Sequence, residues 1–208
     1  MEQLREQSVA AFAKKLASSA PTPGGGAAAA LCGALAAALC AMASRLTAGR
    51  KKYADRAEDL KCIVSRSDEL RQRLLLLIDE DAENFAPLAA AYSLPKGEAG
   101  TAEALRSATL TACEAPMEML RCSAAAVELL ETAETLCSPL LLSDVGCGAS
   151  LARCAMECAA MNVRVNTRSL PEDPEARYLE EELSRLLETW LPRAEAVSAS
   201  VMRRLQRL

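Results

Sequence analysis

The amino-acid sequence predicts an all-α protein, a bundle of about five to six long helices packed around a central alanine-rich helix. Ten of the eighteen residues from Ala27 to Ser44 are alanine and none of the eighteen is charged, which predicts a thin, buried helix. Elsewhere apolar residues recur at spacings of three and four, and no stretch alternates apolar and polar residues as an exposed strand does. The 208 residues contain no long linker or low-complexity segment, which predicts one domain spanning residues 1–208.

Composition excludes several classes of function. The net charge of −4, the aromatic content of 3% and the lack of a basic stripe argue against nucleic-acid binding. The sequence contains no histidine, which excludes Ser-His-Asp and Cys-His catalysis and every histidine-ligated metal site. The first residues, MEQLREQ, are charged and lack the apolar run of a secretory signal, so we expect a cytoplasmic protein.

The nine cysteines are predicted to be reduced thiols, because they are dispersed without a Cys-x-x-Cys pair. Cys147, Cys154 and Cys158 recur at helical spacing. A metal-binding face and a set of small buried side chains would both give this pattern, and the missing ligand spacings favour the second explanation. We therefore expect no bound metal.

The first predicted helix covers residues 3–17 and places its apolar residues on one face. A proline-glycine hinge follows, in which residues 24–26 allow backbone angles and close contacts that larger residues resist. This hinge leads into the alanine-rich helix. A membrane span is the alternative for that charge-free run, but alanine is far less lipophilic than leucine and Arg45 follows at once. We expect a buried helix and no membrane partner.

The third predicted helix, residues 55–91, carries a carboxylate on its apolar side. Spacings of three and four connect the residues of this stripe, which are Leu70, Leu74, Leu77, Asp81, Phe85 and Leu88. A carboxylate on an apolar face needs a compensating interaction. Asp81 therefore either pairs with a buried cation or a helix end, or takes part in catalysis. Its neighbours Asp79 and Glu80 are expected to be solvated.

The fourth and sixth predicted helices each contain a proline. The fourth, residues 98–136, follows a proline-glycine loop that contains Lys96, and Pro116 predicts a kink with carbonyl groups left free one turn earlier. The sixth, residues 174–208, is a packing helix with a predicted bend at Pro192.

The fifth predicted helix, residues 143–168, has polar residues at both ends. Ser143 is a favourable N-cap, and Asp144 in the first turn suits the helix dipole, so both residues have a structural explanation. Asn162 and Asn166 share a face because they are four residues apart. Their amides suit hydrogen bonds to a ligand or hydrogen bonds between helices equally well.

Several motifs occur in a fixed order along the chain: PTPGGG, the alanine-rich helix, LTAGRKKY, LIDEDAENF, AAYSLPK, EAP, SDVG and NVRVNTRSL. In this order they resemble the formiminotransferase-cyclodeaminase C-terminal family, which includes stand-alone methenyltetrahydrofolate cyclohydrolases. The resemblance covers essentially the whole chain. It implies a helical homodimer that acts on the one-carbon unit of tetrahydrofolate, with a folate derivative as substrate and no metal or redox cofactor.

Two reactions fit this resemblance. The first is hydrolysis of 5,10-methenyltetrahydrofolate to 10-formyltetrahydrofolate, and the alternative is ring closure of 5-formimidoyltetrahydrofolate with release of ammonia. The lack of a fused formiminotransferase domain favours the first. Both reactions interconvert an amidinium-like carbon and a tetrahedral adduct, which requires a proton shuttle and electrostatic control. A non-catalytic folate-binding or structural helical protein is the third hypothesis.

The resemblance also implies roles for individual residues. Asp81 would accept the proton from water and Lys96 would bind the oxygen, with Asp144 as the reserve catalytic residue. The glycine turn would lie against the pterin or p-aminobenzoyl ring, and the basic residues after the central helix would receive the glutamate tail. The predicted substrate-binding residues are Thr22, Pro23, Gly24, Gly25, Gly26, Arg50, Lys51, Lys52, Tyr53, Ser143, Asn162 and Asn166. The chain has Ser138 and Leu140 where the family pattern leads us to expect asparagines.

Overall fold

The computed structural model describes residues 3–95 and 100–207, and the regular elements within those ranges are all helical. Six α-helices occur there: α1 Val9–Leu16, α2 Gly25–Ala48, α3 Ala57–Ala91, α4 Thr101–Leu136, α5 Leu142–Thr167 and α6 Pro174–Leu205. Three short 3-10 helices precede or connect them, at Leu4–Glu6, Lys51–Arg56 and Pro139–Leu141. The predicted all-α fold is confirmed.

Helix α2 is the centre of the bundle, as predicted. It packs against α3, α4 and α5. Small residues let the backbones come close: a Cβ added to Gly148 of α5 would lie 3.3 Å from the carbonyl oxygen of Ala36. By length and composition alone α2 could also cross a membrane, but 61% of its most apolar window is buried inside the bundle.

The first helix is shorter than predicted, because the chain before it follows a separate path. Ser8 caps α1, and Leu4–Glu6 forms its own 3-10 helix. Asp79 holds this segment on α3 by accepting hydrogen bonds from the amide of Leu4 (2.5 Å) and from the guanidinium of Arg5 (2.9 Å). The expectation that Asp79 is solvated is therefore wrong.

Helix α5 begins one residue earlier than predicted, and Ser143 does not cap it. The 3-10 helix Pro139–Leu141 runs directly into α5, so Leu141 stands at the N-cap position and Ser143 lies inside the first turn. The predicted cap is wrong because the sequence pattern does not reveal this preceding turn. Asp144 lies in the first turn, as predicted.

Helices α4 and α6 continue through their prolines, Pro116 and Pro192. Helix α6 packs against α4 and α5 and buries Leu183, Val197 and Val201. One hydrophobic cluster includes residues from all six helices. All nine cysteines are free thiols, as predicted.

Candidate functional site

A cavity of about 160 Å³ lies at the end of the bundle where α2 begins. The start of α2, the late part of α3, the first half of α4 and the last turns of α5 converge there. The lining residues are Pro21, Thr22, Gly24, Gly25, Gly26, Asp81, Phe85, Ala112, Pro116, Asn162, Val165 and Asn166. The cavity thus brings together seven of the predicted site residues, while Pro23 is buried in the same turn.

Two glycines at the start of α2 leave room for polar side chains from other helices. A Cβ added to Gly26 would lie 2.1 Å from Oδ1 of Asp81, and a Cβ added to Gly25 would lie 3.2 Å from Nδ2 of Asn162. The first distance is far below any van der Waals contact, so position 26 must be glycine for the carboxylate to lie where it does. The glycine run therefore fixes the position of Asp81 against the first turn of α2.

Asp81 differs from the two carboxylates that precede it. Asp79 and Glu80 each bind an arginine, whereas Asp81 has no ion pair within residues 3–95 and 100–207. Burial raises the pKa of Asp81 to about 6, and a hydrogen bond from the backbone of Ala27 acts against this rise. Asp81 is also the sole titratable side chain among the described residues that line the cavity. It can therefore bind and release a proton near neutral pH.

Asn166 connects two walls of the cavity. Its amide nitrogen donates to the carbonyl oxygen of Ala112 at 3.3 Å. That carbonyl is the one that Pro116 cannot reach, because proline has no N–H and Pro116 stands four residues later in α4. The free carbonyl predicted from Pro116 is thus satisfied by α5. Asn162 donates to the carbonyl of Cys158 in its own helix at 2.8 Å and also lines the cavity.

The other predicted site residues lie at the opposite end of the bundle. Helix α2 has 24 residues and is therefore about 36 Å long, which separates Arg50, Lys51 and Lys52 from the cavity at its start. Tyr53 is buried at that far end, with the charged groups of Lys52 and Arg56 5.7 Å from its ring centre. These residues can contribute to the cavity only from a second copy of the chain.

Ser143 and Asp144 also belong to the far end, because they begin the helix that Asn162 and Asn166 end. A single protomer therefore does not combine Asp144 with Asp81 in one site. Lys96 lies outside the described residues.

The two positions that depart from the family pattern are also remote from the cavity. The amide of Ser138 donates to Oγ1 of Thr47 at 3.0 Å, and its hydroxyl lies 3.3 Å from a guanidinium nitrogen of Arg50. Leu140 is 75% exposed. Neither residue touches the cavity of its own protomer.

Sequence reasoning missed part of the cavity wall. Phe85 belongs to the predicted apolar stripe of α3, and its spacing of four residues from Asp81, which places both on one face of the helix, is the signal that indicates a shared site. Ala112 and Val165 carry no comparable signal. Within residues 3–95 and 100–207 no three cysteine or acidic side chains converge as metal ligands would.

Comparisons with known proteins agree with this geometry. A family model described as formiminotransferase-cyclodeaminase matches residues 8–185. A methenyltetrahydrofolate cyclohydrolase from Methylorubrum extorquens is 37% identical over 185 residues, which are 87% of this chain and 89% of that protein. The formimidoyltransferase-cyclodeaminase of Rattus norvegicus is 26% identical over 96% of this chain, which spans only 38% of the rat protein. The crystal structure of formiminotetrahydrofolate cyclodeaminase from Thermotoga maritima superposes with a TM-score of 0.85, at 27% identity and 98% coverage of both chains.

Proposed function

Because the chain belongs to the formiminotransferase-cyclodeaminase family, we propose that it is a tetrahydrofolate one-carbon enzyme that hydrolyses 5,10-methenyltetrahydrofolate to 10-formyltetrahydrofolate. The relative named methenyltetrahydrofolate cyclohydrolase supports this choice, since it matches along 89% of its own length. The observation that carries the proposal is the cavity in which a single unpaired carboxyl, Asp81, has a pKa of about 6.

In the proposed mechanism Asp81 acts as general base and then as general acid. Its carboxylate takes a proton from a water molecule while the water oxygen attacks the cationic methenyl carbon and forms a tetrahedral adduct. The bond between this carbon and N5 then breaks and N5 takes up the proton from Asp81. The hydroxyl of the adduct gives its own proton to the Asp81 carboxylate, and from there to solvent, as it becomes the carbonyl of the formyl group, which stays on N10. A carboxyl with a pKa of about 6 suits both steps, because it is ionised at neutral pH and still releases its proton readily.

The amides and the glycine turn position the substrate. The first turn of α2 presents backbone N–H groups that have no partner within the helix, and a thin glycine surface over which a flat ring can lie. Asn162 and Asn166 stand opposite this turn and supply amide groups for the polar edge of a pterin. Part of the hydrogen-bonding capacity of both amides is already used by the protein.

The second candidate is the formimidoyltetrahydrofolate cyclodeaminase reaction, a lyase activity. The structural neighbour from Thermotoga maritima, which matches 98% of this chain, carries that name. In this reaction N10 attacks the formimidoyl carbon, and the same carboxyl would protonate the leaving ammonia. The third candidate is a folate-binding or structural protein without turnover. This hypothesis does not explain why an unpaired carboxyl lies in the cavity.

One experiment separates the three. Purified protein is added to 5,10-methenyltetrahydrofolate, whose absorbance is lost on hydrolysis, and in parallel to 5-formimidoyltetrahydrofolate, where ammonia release is measured. Catalysed loss of methenyl absorbance without ammonia release supports the cyclohydrolase. If ammonia release is the faster reaction, the protein is a cyclodeaminase and not a cyclohydrolase. If the protein binds folate but catalyses neither reaction, the third hypothesis, a non-catalytic protein, is correct.

We further propose a homodimer formed through an apolar face of α2 and α5. This apolar face comprises Leu35 and Leu46 of α2 and Cys154, Met161 and Val165 of α5, and each of these side chains is exposed. Val165 also lines the cavity, so a second copy on this face would shield the cavity from bulk solvent. Closed two-fold pairing of one surface with itself is the commonest form of homo-oligomer.

The location and partners of the enzyme are part of the same proposal. We place it in the cytoplasm, with a folate as its small-molecule partner and without a metal, redox cofactor, nucleic acid or membrane. The net charge of −4 and the burial of α2 in the bundle support this proposal.

A further inference from the structure

A second cavity, of about 190 Å³, adjoins the one that contains Asp81. Thr22 lines both cavities. Helix α3 forms a continuous wall between them, because Asp81 faces the first cavity and the next residue, Ala82, faces the second. The full lining of the second cavity is Gln3, Leu4, Arg5, Lys15, Thr22, Asp79, Ala82 and Glu83.

The charged groups of the second cavity leave one cation available. Arg5 and Asp79 bind each other, with Arg5 Nη1 2.9 Å from Asp79 Oδ2. Lys15 is half-buried and lines the cavity, and it has no ion pair or side-chain hydrogen bond within the described ranges of the chain. Glu83 is exposed and therefore largely screened by water. The preceding lysine, Lys14, is exposed and does not line the cavity.

The first cavity is too small for a whole folate. Sites for small molecules usually measure about 300 to 1,000 Å³, whereas the cavity at Asp81 measures about 160 Å³. The reacting end of a folate can enter it, but the p-aminobenzoyl group and the glutamate must leave through an opening. The second cavity shares Thr22 with the first and offers space for these groups beside the cation of Lys15.

We propose that Lys15 binds a carboxylate of the glutamate tail of the folate whose one-carbon unit lies at Asp81. The inference rests on the proposed function and names the group that recognises the tail. A half-buried ammonium without a counter-charge gains an ion pair when an anionic ligand arrives, and partial burial strengthens that pair relative to one at the surface. The assignment differs from the sequence expectation, in which Arg50, Lys51 and Lys52 receive the tail.

The test compares two ligands that differ only in the tail. Tetrahydrofolate carries the glutamate and tetrahydropteroate lacks it, and the dissociation constant of each is measured by titration calorimetry. We expect Lys15→Ala to weaken tetrahydrofolate about fivefold and to leave tetrahydropteroate unchanged. Lys14→Ala, the matched control, is expected to change neither.

Each other outcome overturns the assignment. Equal weakening of both ligands by Lys15→Ala, together with a lower melting temperature, would mean that Lys15 only supports the fold. If Lys51→Ala/Lys52→Ala weakens the binding of tetrahydrofolate alone, while Lys15→Ala binds both ligands as the wild type does, the glutamate tail is bound by the basic residues of a second copy. If the wild-type protein bound neither ligand, the proposed function itself would fail.

Discussion

The carboxylate of Asp81 occupies the space in which a side chain of residue 26 would begin. A Cβ on Gly26 would lie 2.1 Å from Oδ1 of Asp81 and 2.5 Å from its Cγ. The two positions on α2 and α3 therefore form one structural unit, in which the missing side chain of one fixes the place of the other.

Gly26→Ala should displace the Asp81 carboxylate from the cavity by about one bond length and lower turnover by about a hundredfold, because catalysis depends steeply on the position of the reacting group. Gly49→Ala is the matched control, since Gly49 follows the other end of α2, away from the cavity, and a Cβ there would meet only the carbonyl oxygen of Arg45 at 3.6 Å, an ordinary contact. The turnover of both variants on methenyltetrahydrofolate checks this prediction. Equal turnover in the two would show that the position of Asp81 is unimportant.

Asp81→Asn should lower turnover by about a hundredfold or more and change folate affinity only a few-fold, because asparagine keeps the shape but cannot accept a proton. In the wild type, turnover should fall as the pH falls through about 6, where Asp81 becomes protonated. Asp59→Asn is the control, because Asp59 is an exposed carboxylate at the other end of the same helix. A variant at position 81 that turns over at the wild-type rate would transfer the role of base to Asp144.

The same variant should have a characteristic pH dependence of stability. The pKa of Asp81 is raised by folding from 3.8 to about 6, so the folded protein binds the proton more tightly and loses stability as the pH rises from about 4 to about 6. Above pH 6, Asp81→Asn should therefore be more stable than the wild type, by at most about 3 kcal/mol. Below pH 4 the difference should vanish. Denaturant unfolding at pH 3.5 and pH 7.5 measures both values, and a variant less stable at pH 7.5 would indicate a structural role for the carboxylate.

Asn166→Ala should destabilise the fold by about 1 to 3 kcal/mol, because it leaves the carbonyl of Ala112 buried without a donor. Pro116→Ala returns an N–H to α4 that can reach this carbonyl. The loss caused by Asn166→Ala should therefore be smaller in the Pro116→Ala background. A double-mutant cycle of unfolding free energies measures this coupling, and strictly additive changes would exclude the proposed exchange of donors.

Leu35→Glu should convert the homodimer to a monomer, since it places a charge in the centre of the apolar face. Val9→Glu is the control, because Val9 is 80% exposed on α1 and does not belong to that face. Light scattering should give twice the chain mass for the wild type and for Val9→Glu, and the chain mass for Leu35→Glu. If the wild-type protein has the mass of a single chain in light scattering, the proposed homodimer is wrong.

Much of the fold followed from periodicity, whereas the glycine turn entered the predicted site through the family resemblance. The charge-free alanine run predicted the buried central helix, and the leucine stripe of α3 identified Asp81 as the residue that breaks its own pattern. Periodicity also missed local detail. Asp79 binds Arg5 from a distant part of the chain, which no spacing within α3 indicates. Glu80 binds Arg73, which lies two turns earlier in the same helix.

Periodicity does not show which helix ends meet. Arg50, Lys51 and Lys52 lie in the short connection between α2 and α3, and a short connection makes consecutive helices antiparallel. The start of α2 must then lie beside the end of α3, far from that connection. The short connection thus separates the basic residues from Asp81 within one protomer on the sequence alone, whereas no sequence pattern indicates that Asn166 pairs with Ala112.

The contact between Gly26 and Asp81 also restricts the order in which the two positions can change during evolution. Any side chain at position 26 is harmful while Asp81 is present, but becomes tolerable once a smaller residue stands at position 81, so the effects of the two substitutions are not additive. A lineage that loses the carboxylate is thereby released from the glycine. A lineage that has then acquired a larger residue at position 26 can regain the carboxylate only after reversing that step, which makes the loss of catalysis difficult to undo.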